Sequence, residues 1–391
     1  MRHGILAILI GSALVTSAAH ADSGWRYAIS SIKVFDLGTM GGKESVANDI
    51  NDKGEIVGWA NLADGAQHAF LWRNGAMEDI TPFRETFSDA RGINNFTSVV
   101  GYLNGMKDSG PHAFYWDSVS TVVRLDEAWT DPKDIPLCGS GAVAEAINDD
   151  GVIVGDRYGG CNPPGIYIAR AARWASWSSP WQEISPLGHA PKSNHAEDIN
   201  AAGAIVGWDH DSETLSGAIR WYGAGSAVPY PTVIAPASPV DESMFAFGNN
   251  ASNGVVGSLT LRLSPGEYVT RAYYWNGSSA ESSLLPSLIP AGASVAYELN
   301  KEAFSVGYSD DPRDRRAVVW HPHFGIQVLP LPPGAGTDTI FVNYQCQALA
   351  VNSRSATGLV QAVGFCNVGG KRHAMVWNIS TYRYDVPSDS P

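Results

Sequence analysis

Three sets of side chains stand at equivalent positions in a repeating pattern and have types that could do chemistry. Two residues before a recurring Asn the chain carries Asp49, Gly92, Ala146, Asp198, Gly248, Glu298 and Ala350. Asp49, Asp198 and Glu298 are the systematic candidates for acid–base catalysis or for binding a cation, since converging carboxylates can divide the roles of proton donor and acceptor. Counting alternate residues along a strand puts them on one face with the recurring Ala and Asn, toward a central channel. The competing expectation is that they are solvated or hydrogen-bonded at the channel mouth, because paired acids alone identify no reaction.

The second set precedes the Ala of a recurring Ala-x-x-Trp: His68, His112, Arg170, Gly217, Arg271, Arg316 and His373. Six of the seven can be cationic. As a basic ring they would capture the carboxylates of an acidic glycan, helped by the forked guanidinium. As strand-end residues they would each bond a neighbouring carbonyl or acid. The third set belongs to one copy alone. Its loop from Asp156 to Ile168 carries Tyr158, Cys161, Pro163-Pro164 and Tyr167, and Trp177 and Trp181 follow. These two and Trp129 lie outside the repeated Trp position. Exposed aromatics on a braced loop make stacking surfaces for sugars or anchors for a protein partner; the alternative is a small satellite core.

Other chemistries find no support. Asp49-Ile50-Asn51-Asp52-Lys53-Gly54 resembles a Ca²⁺ loop only weakly, and Asn94-Asn95-Phe96-Thr97 lacks the acids and the Gly, so no metal is expected. No G-x-S-x-G, H-E-x-x-H, Walker, dinucleotide or Asp-box signature is present, and no cofactor is expected. Two function classes stay open. One is a non-catalytic binding or interaction module for a glycan or protein; the other is an extracellular polysaccharide hydrolase or lyase using the channel carboxylates.

The elements that must position these groups are set by the repeat. Ala/Asn pairs four apart recur seven times, from Ala47/Asn51 to Ala348/Asn352. A Val-Gly follows at Gly58, Gly101, Gly155, Gly207, Gly257, Gly307 and Gly364, spaced 43, 54, 52, 50, 50 and 57 residues apart. Trp72, Trp116, Trp174, Trp221, Trp275, Trp320 and Trp377 close the copies. Each copy reads as four short strands. In the first these are Ser45 to Asn51, Glu55 to Ala60, Gln67 to Trp72 and Ala76 to Ile80, with hairpin chemistry at Asn51-Asp52-Lys53-Gly54 and Asn74-Gly75. Four-stranded units at this period predict an all-β, seven-bladed β-propeller of antiparallel blades. The Trp residues are expected to fill the space between neighbouring blades, and the recurring Ala and Gly to sit where blades crowd together. Val34-Phe35-Asp36-Leu37 and Arg383-Tyr384-Asp385-Val386 both match the fourth-strand type, and either could take the closing position.

His68-Ala69-Phe70, His112-Ala113-Phe114 and the Ile-Asn-x-x-Gly-x-Ile-Val-Gly run resemble the HAF repeat of bacterial extracellular proteins, over roughly residues 34 to 386. The resemblance implies a secreted repeat protein and brings no activity with it. Later copies depart from the triplet, as in Arg170-Ala171-Ala172 and Gly217-Ala218-Ile219.

Residues 1 to 21 read as a signal peptide, with an apolar run from Ile5 to Val15 and an Ala19-His20-Ala21 cleavage site. Residues 22 to 391 then form a single domain, secreted or periplasmic, with no transmembrane segment and no sign of more than a monomer. With 26 Lys and Arg against 39 acids, a formal charge of −13, the chain has no footprint for nucleic acid. Its four cysteines suit export. Cys138 with Cys161 and Cys346 with Cys366 is the local pairing, each bracketing one copy's hairpin.

Overall fold

The structure, a computed structural model, describes residues 25–81, 87–104, 110–119, 122–125, 141–159, 168–184, 193–210, 217–222, 230–234, 243–277, 282–312, 314–333 and 345–386. Cys138, Cys161, Trp129, Tyr167 and the signal segment lie outside them. Among the described residues there is no helix; the strands form five open four-stranded sheets and one of eight strands. The eight-stranded sheet is two four-stranded antiparallel meanders joined by a single parallel pair, Gln67 with Phe87.

The first meander shows why each copy folds as it does. After β1 (Trp25–Gly38) come β2 (Gly41–Ile50), β3 (Ile56–Leu62), β4 (Gln67–Arg73) and β5 (Ala76–Asp79). β-Branched Ile56-Val57 suits the second strand, buried on both faces. The turn at Gly54 takes φ of +78°, free of strain without a Cβ. The second copy, lacking that Gly, turns at Thr97 with φ of +66° instead.

The fourth position of the last copy is taken by β1, which pairs antiparallel with the strand Lys371–Asp385 in the register Val34 with Trp377. Arg383 to Asp385 instead extends that strand and pairs with Trp25 to Tyr27. The choice the sequence leaves open therefore falls to the N-terminal segment.

The core is divided among the junctions between consecutive units. One cluster joins Val57, Leu71 and Ile80 of the first unit to Ala90, Val99 and Trp116 of the second. Another joins Ala47, Ile50 and Phe70 of the first unit to Ala350, Val363 and Ala374 of the last. The recurring Trp fills these junctions: Trp174, Trp221 and Trp377 are fully buried, while Trp72 is only partly so. Cys346 and Cys366 are bonded within the last unit, as expected, and both are buried.

The recurring Asn explains the junctions' polar side. Its Oδ1 accepts from local backbone amides, as Asn200 does from Ala202 and Ala204 at 3.0 Å each. Its Nδ2 donates to the backbone carbonyl of the next recurring Asn. The bonds run from Asn51 to Asn94 (3.1 Å), Asn148 (3.0 Å), Asn200 (3.2 Å), Asn250 (2.8 Å), Asn300 (2.9 Å) and Asn352 (2.8 Å). Asn352 then donates to Asn51 at 3.4 Å, and the chain of bonds returns to its start. A primary amide carries the acceptor and the donor this requires on two separate atoms, whatever the pH.

Candidate functional site

In every copy the first strand carries a bulge directly after the recurring Ala. Ala47 pairs with Gly58 and Asp49 with Val57, leaving Asn48 as the extra residue. The same shift falls at Arg91, Glu145, Glu197, Phe247, Tyr297 and Leu349. The bulge is what makes the recurring Gly obligatory. A Cβ on Gly58 would strike the carbonyl oxygen of Val46, and one on Gly207 that of His195. It also corrects the two-residue count. Ala47 faces the last unit together with Ile50, one residue out of the alternating phase, whereas Asp49 reaches forward to the second.

All seven bulge residues are half-buried and line one cavity of about 390 Å³, to which all seven recurring Asn residues also contribute. The lining is divided. Units one to four contribute Asn48, Arg91, Glu145 and Glu197, and units five to seven contribute Phe247, Tyr297 and Leu349. On the polar arc Asn48 donates to Asp89 (2.6 Å), and Arg91 lies 3.4 Å from Asp89 and 3.8 Å from Glu145. Behind Glu197, Trp208 donates to its carboxylate at 2.8 Å, and His195 stacks on Trp208 at 3.9 Å while bonding Asp156 at 2.6 Å. On the other arc Phe247 meets Tyr297 with ring centroids 5.7 Å apart, and Phe245 and Tyr308 continue the aromatic band.

The electrostatics follow from taking acids out of water. Burial pushes the Glu145 carboxyl up to about 8, against the pull of the Arg91 guanidinium. Burial pushes Asp89 up to about 6, opposed by Arg91 and Asn48. Glu197 is raised by burial and by the charge of Asp156. For His195 burial acts downward, but the hydrogen bond and charge of Asp156 outweigh it and hold the imidazole above its usual value.

Asp49, Asp198 and Glu298 also line this cavity, but each is engaged with a backbone. Asp49 accepts from Ile50 (2.7 Å) and from Ile93 of the next unit (2.8 Å). Asp198 does the same with Ile199 (2.7 Å) and Asn249 (2.8 Å), and Glu298 accepts from Val351 at 3.2 Å. The receiving units carry Gly92, Gly248 and Ala350 at the matching position. A Cβ on Gly248 would lie 2.6 Å from the Tyr297 carbonyl oxygen, so that position tolerates no larger side chain. Burial raises Asp49 to about 6 and Asp198 to about 7, and Glu298 well above its ordinary value, with the backbone bonds pulling the other way in each.

The expected basic ring is paired within the molecule. His68 bonds Asp79 at 2.8 Å and His373 bonds Asp36 at 2.7 Å, the same contact made by the two matching outer strands. Arg170 meets Glu183 at 3.4 Å, Arg316 meets Asp311 at 3.2 Å, and Arg271 donates to Ser287 and to the Gly292 and Pro290 carbonyls. His112 stands at the equivalent start of its strand. In the third copy Trp177 is 47% exposed and stacks on Tyr115 at 5.9 Å. Trp181 instead packs on the core between units two and three, under the Arg157 guanidinium at 4.3 Å. Tyr158 lies 3.5 Å from Asp156, beside the polar arc. Among the described residues no cluster of His, Cys, Asp or Glu is arranged to hold a metal ion, and no helix is long and apolar enough to cross a membrane.

The residues that sequence reasoning passed over are the bulge set. Their signal is present but faint: the position directly after the recurring Ala holds a different chemistry in almost every copy. The chain is similar to a solved structure of puromycin hydrolase, at 11% identity and a TM-score of 0.52, over 87% of this chain and 52% of that one. It is also similar to the β-propeller domain of the trilobed protease from Pyrococcus furiosus, at 10% identity and 0.49, over 89% and 99%. A third likeness is to TolB from Acinetobacter baumannii, at 13% and 0.41, over 63% and 55%. This chain therefore spans little more than half of the puromycin hydrolase and TolB chains, and at these identities the likeness concerns the fold alone. No family model matches the chain, and no curated protein does.

Proposed function

We propose that this chain is an exported, non-catalytic binding protein of the HAF-repeat type, built as a closed seven-bladed β-propeller. Closure is supported by the cycle of Asn bonds, by β1 completing the last unit, and by the apolar junction between first and last units. The observation that carries the binding reading is the engagement of Asp49, Asp198 and Glu298. Each holds a backbone amide of the following unit, so these carboxylates act as joints between blades instead of as an acid–base pair. A rigid ring with loops free to differ suits recognition of an extracellular glycan or protein. The exposed Trp177 face over Tyr115 is the apolar platform for such a ligand.

The hydrolase or lyase alternative draws on a different group, His195 with Asp156 beside Glu197. A glycan array and a polysaccharide hydrolysis and lyase screen, run on wild type, Trp177→Ala and His195→Gln, separate the two. Loss of capture in Trp177→Ala with an unchanged melting temperature supports binding. A turnover activity that His195→Gln abolishes and Trp177→Ala leaves intact overturns it.

A further inference from the structure

The geometry points to the channel itself as a second ligand site, one that takes a pyranose sugar without an acidic group. The inference rests on the closed-ring binding reading but concerns a different place from the Trp177 face. Its ground is the division of the lining into two arcs of opposite character around one cavity. A cavity of about 390 Å³ falls within the range of about 300–1,000 Å³ in which small-molecule pockets lie, and such pockets combine an apolar wall with a few convergent polar groups.

A pyranose has one face of C–H groups and a rim of hydroxyls. The first matches the half-exposed rings of Phe247 and Tyr297, flat apolar surfaces of the kind that dominate recognition energetics. The second matches Asn48, Glu145 and Glu197, which accept from hydroxyls, and Arg91, which donates to them. Of these Arg91 stays charged, and hydrogen bonds to an ionised partner are about twice as strong as neutral ones. The acid-rich lining sets the selectivity. Glu145 and Glu197, with Asp49, Asp198 and Glu298 beside them, outnumber Arg91 and Lys301 along the cavity. Burial already presses these acids toward their neutral form, so a uronate, which brings one more carboxylate into the same desolvated cavity, would be refused, whereas a neutral sugar brings no charge and an amino sugar the opposite one.

The polar arc has a further mark of a ligand face. Glu197 is held by Trp208, and Arg91 lies between Asp89 and Glu145, so the groups are fixed before any ligand arrives. Fixed groups lose little freedom on binding, and that favours affinity.

The test is titration calorimetry of the full chain with a panel of neutral hexoses, glucosamine and glucuronate at millimolar concentration. It is repeated on Phe247→Leu, which keeps volume but removes the ring, on Glu197→Gln, and on Trp177→Ala. Circular dichroism on each variant confirms that it has folded. The expected result is binding of at least one neutral or amino sugar, no binding of glucuronate, a loss of about tenfold or more in Phe247→Leu and Glu197→Gln, and no change in Trp177→Ala; tenfold is 1.4 kcal/mol. The inference is overturned if no neutral or amino sugar binds, if glucuronate binds as well as they do, or if both channel variants keep wild-type affinity. Sugar binding that vanishes with Trp177→Ala instead moves the site to the loop face. That outcome supports the earlier reading while ending this one.

Discussion

Replacing Asn200 tests whether the Asn cycle holds the fold or merely decorates its turns. Asn200 is 5% exposed, accepts from the Ala202 and Ala204 amides, and donates to the Asn250 carbonyl at 2.8 Å. Asn200→Ala leaves two amides and one carbonyl without their partner. At about 1 kcal/mol net per bond, and more where the orphaned group stays dry, the loss should be about 3–5 kcal/mol. Asn200→Asp separates the local half from the inter-unit half. The carboxylate still accepts both amides but, ionised, cannot donate, and it faces an acceptor. That contact favours the protonated acid and so raises the folded-state pKa of the new Asp. Stability is then retained below the unfolded value and lost as pH rises through the folded one. Urea denaturation at pH 5 and pH 8, each referred to wild type at the same pH, should show Asn200→Asp costing more at pH 8. If Asn200→Ala costs less than about 1 kcal/mol, or Asn200→Asp costs the same at both pH values, the bond to Asn250 contributes nothing and the reasoning fails.

Gly207→Ala should be severely destabilising because its Cβ meets the His195 carbonyl, whereas Gly217→Ala, with open space around it, should stay within about 0.5 kcal/mol of wild type; paired denaturation curves check both. Trp221→Ala should cost about 3–5 kcal/mol, as for other large buried aromatics, while Trp177→Ala, at the surface, should cost less than about 1 kcal/mol. A chemical-denaturation series in which the two are equal would place Trp177 in the core. Wild type itself should melt at a lower temperature at pH 8 than at pH 5. Asp49 and Asp198 are raised by burial to about 6 and about 7, so the stability they contribute below their unfolded values is lost as pH climbs through that window.

What the sequence made legible was whatever recurs locally. Hairpin turns, β-branched second strands and the junction-filling Trp each depend on residues a few positions apart, and seven copies amplify such signals. The bulge escaped because alternation assumes one residue per pair, and nothing in Ala47-Asn48-Asp49 announces an extra one. Strict alternation therefore points to Asp49, Asp198 and Glu298, one position beyond the residues that present most of the channel's chemistry. An indirect trace did exist in the Gly opposite each Ala. A Gly kept in the middle of a second strand in every copy implies a close backbone approach, and a bulge across the pair is one of its causes. The Asn cycle left a sharper trace. At a hairpin start Asp and Ser accept from local amides as well as Asn does, so a purely local role would let the seven copies drift among the three. All seven are Asn. Asp and Asn offer the same acceptor in nearly the same shape and differ in the donor. The absence of Asp from all seven positions, in a chain this acidic, therefore says that the position must donate, and although Asn51 also reaches Glu55 within its own hairpin, the acceptor that all seven share lies outside their own turns. The next unit's carbonyl is that acceptor, some 50 residues along the chain.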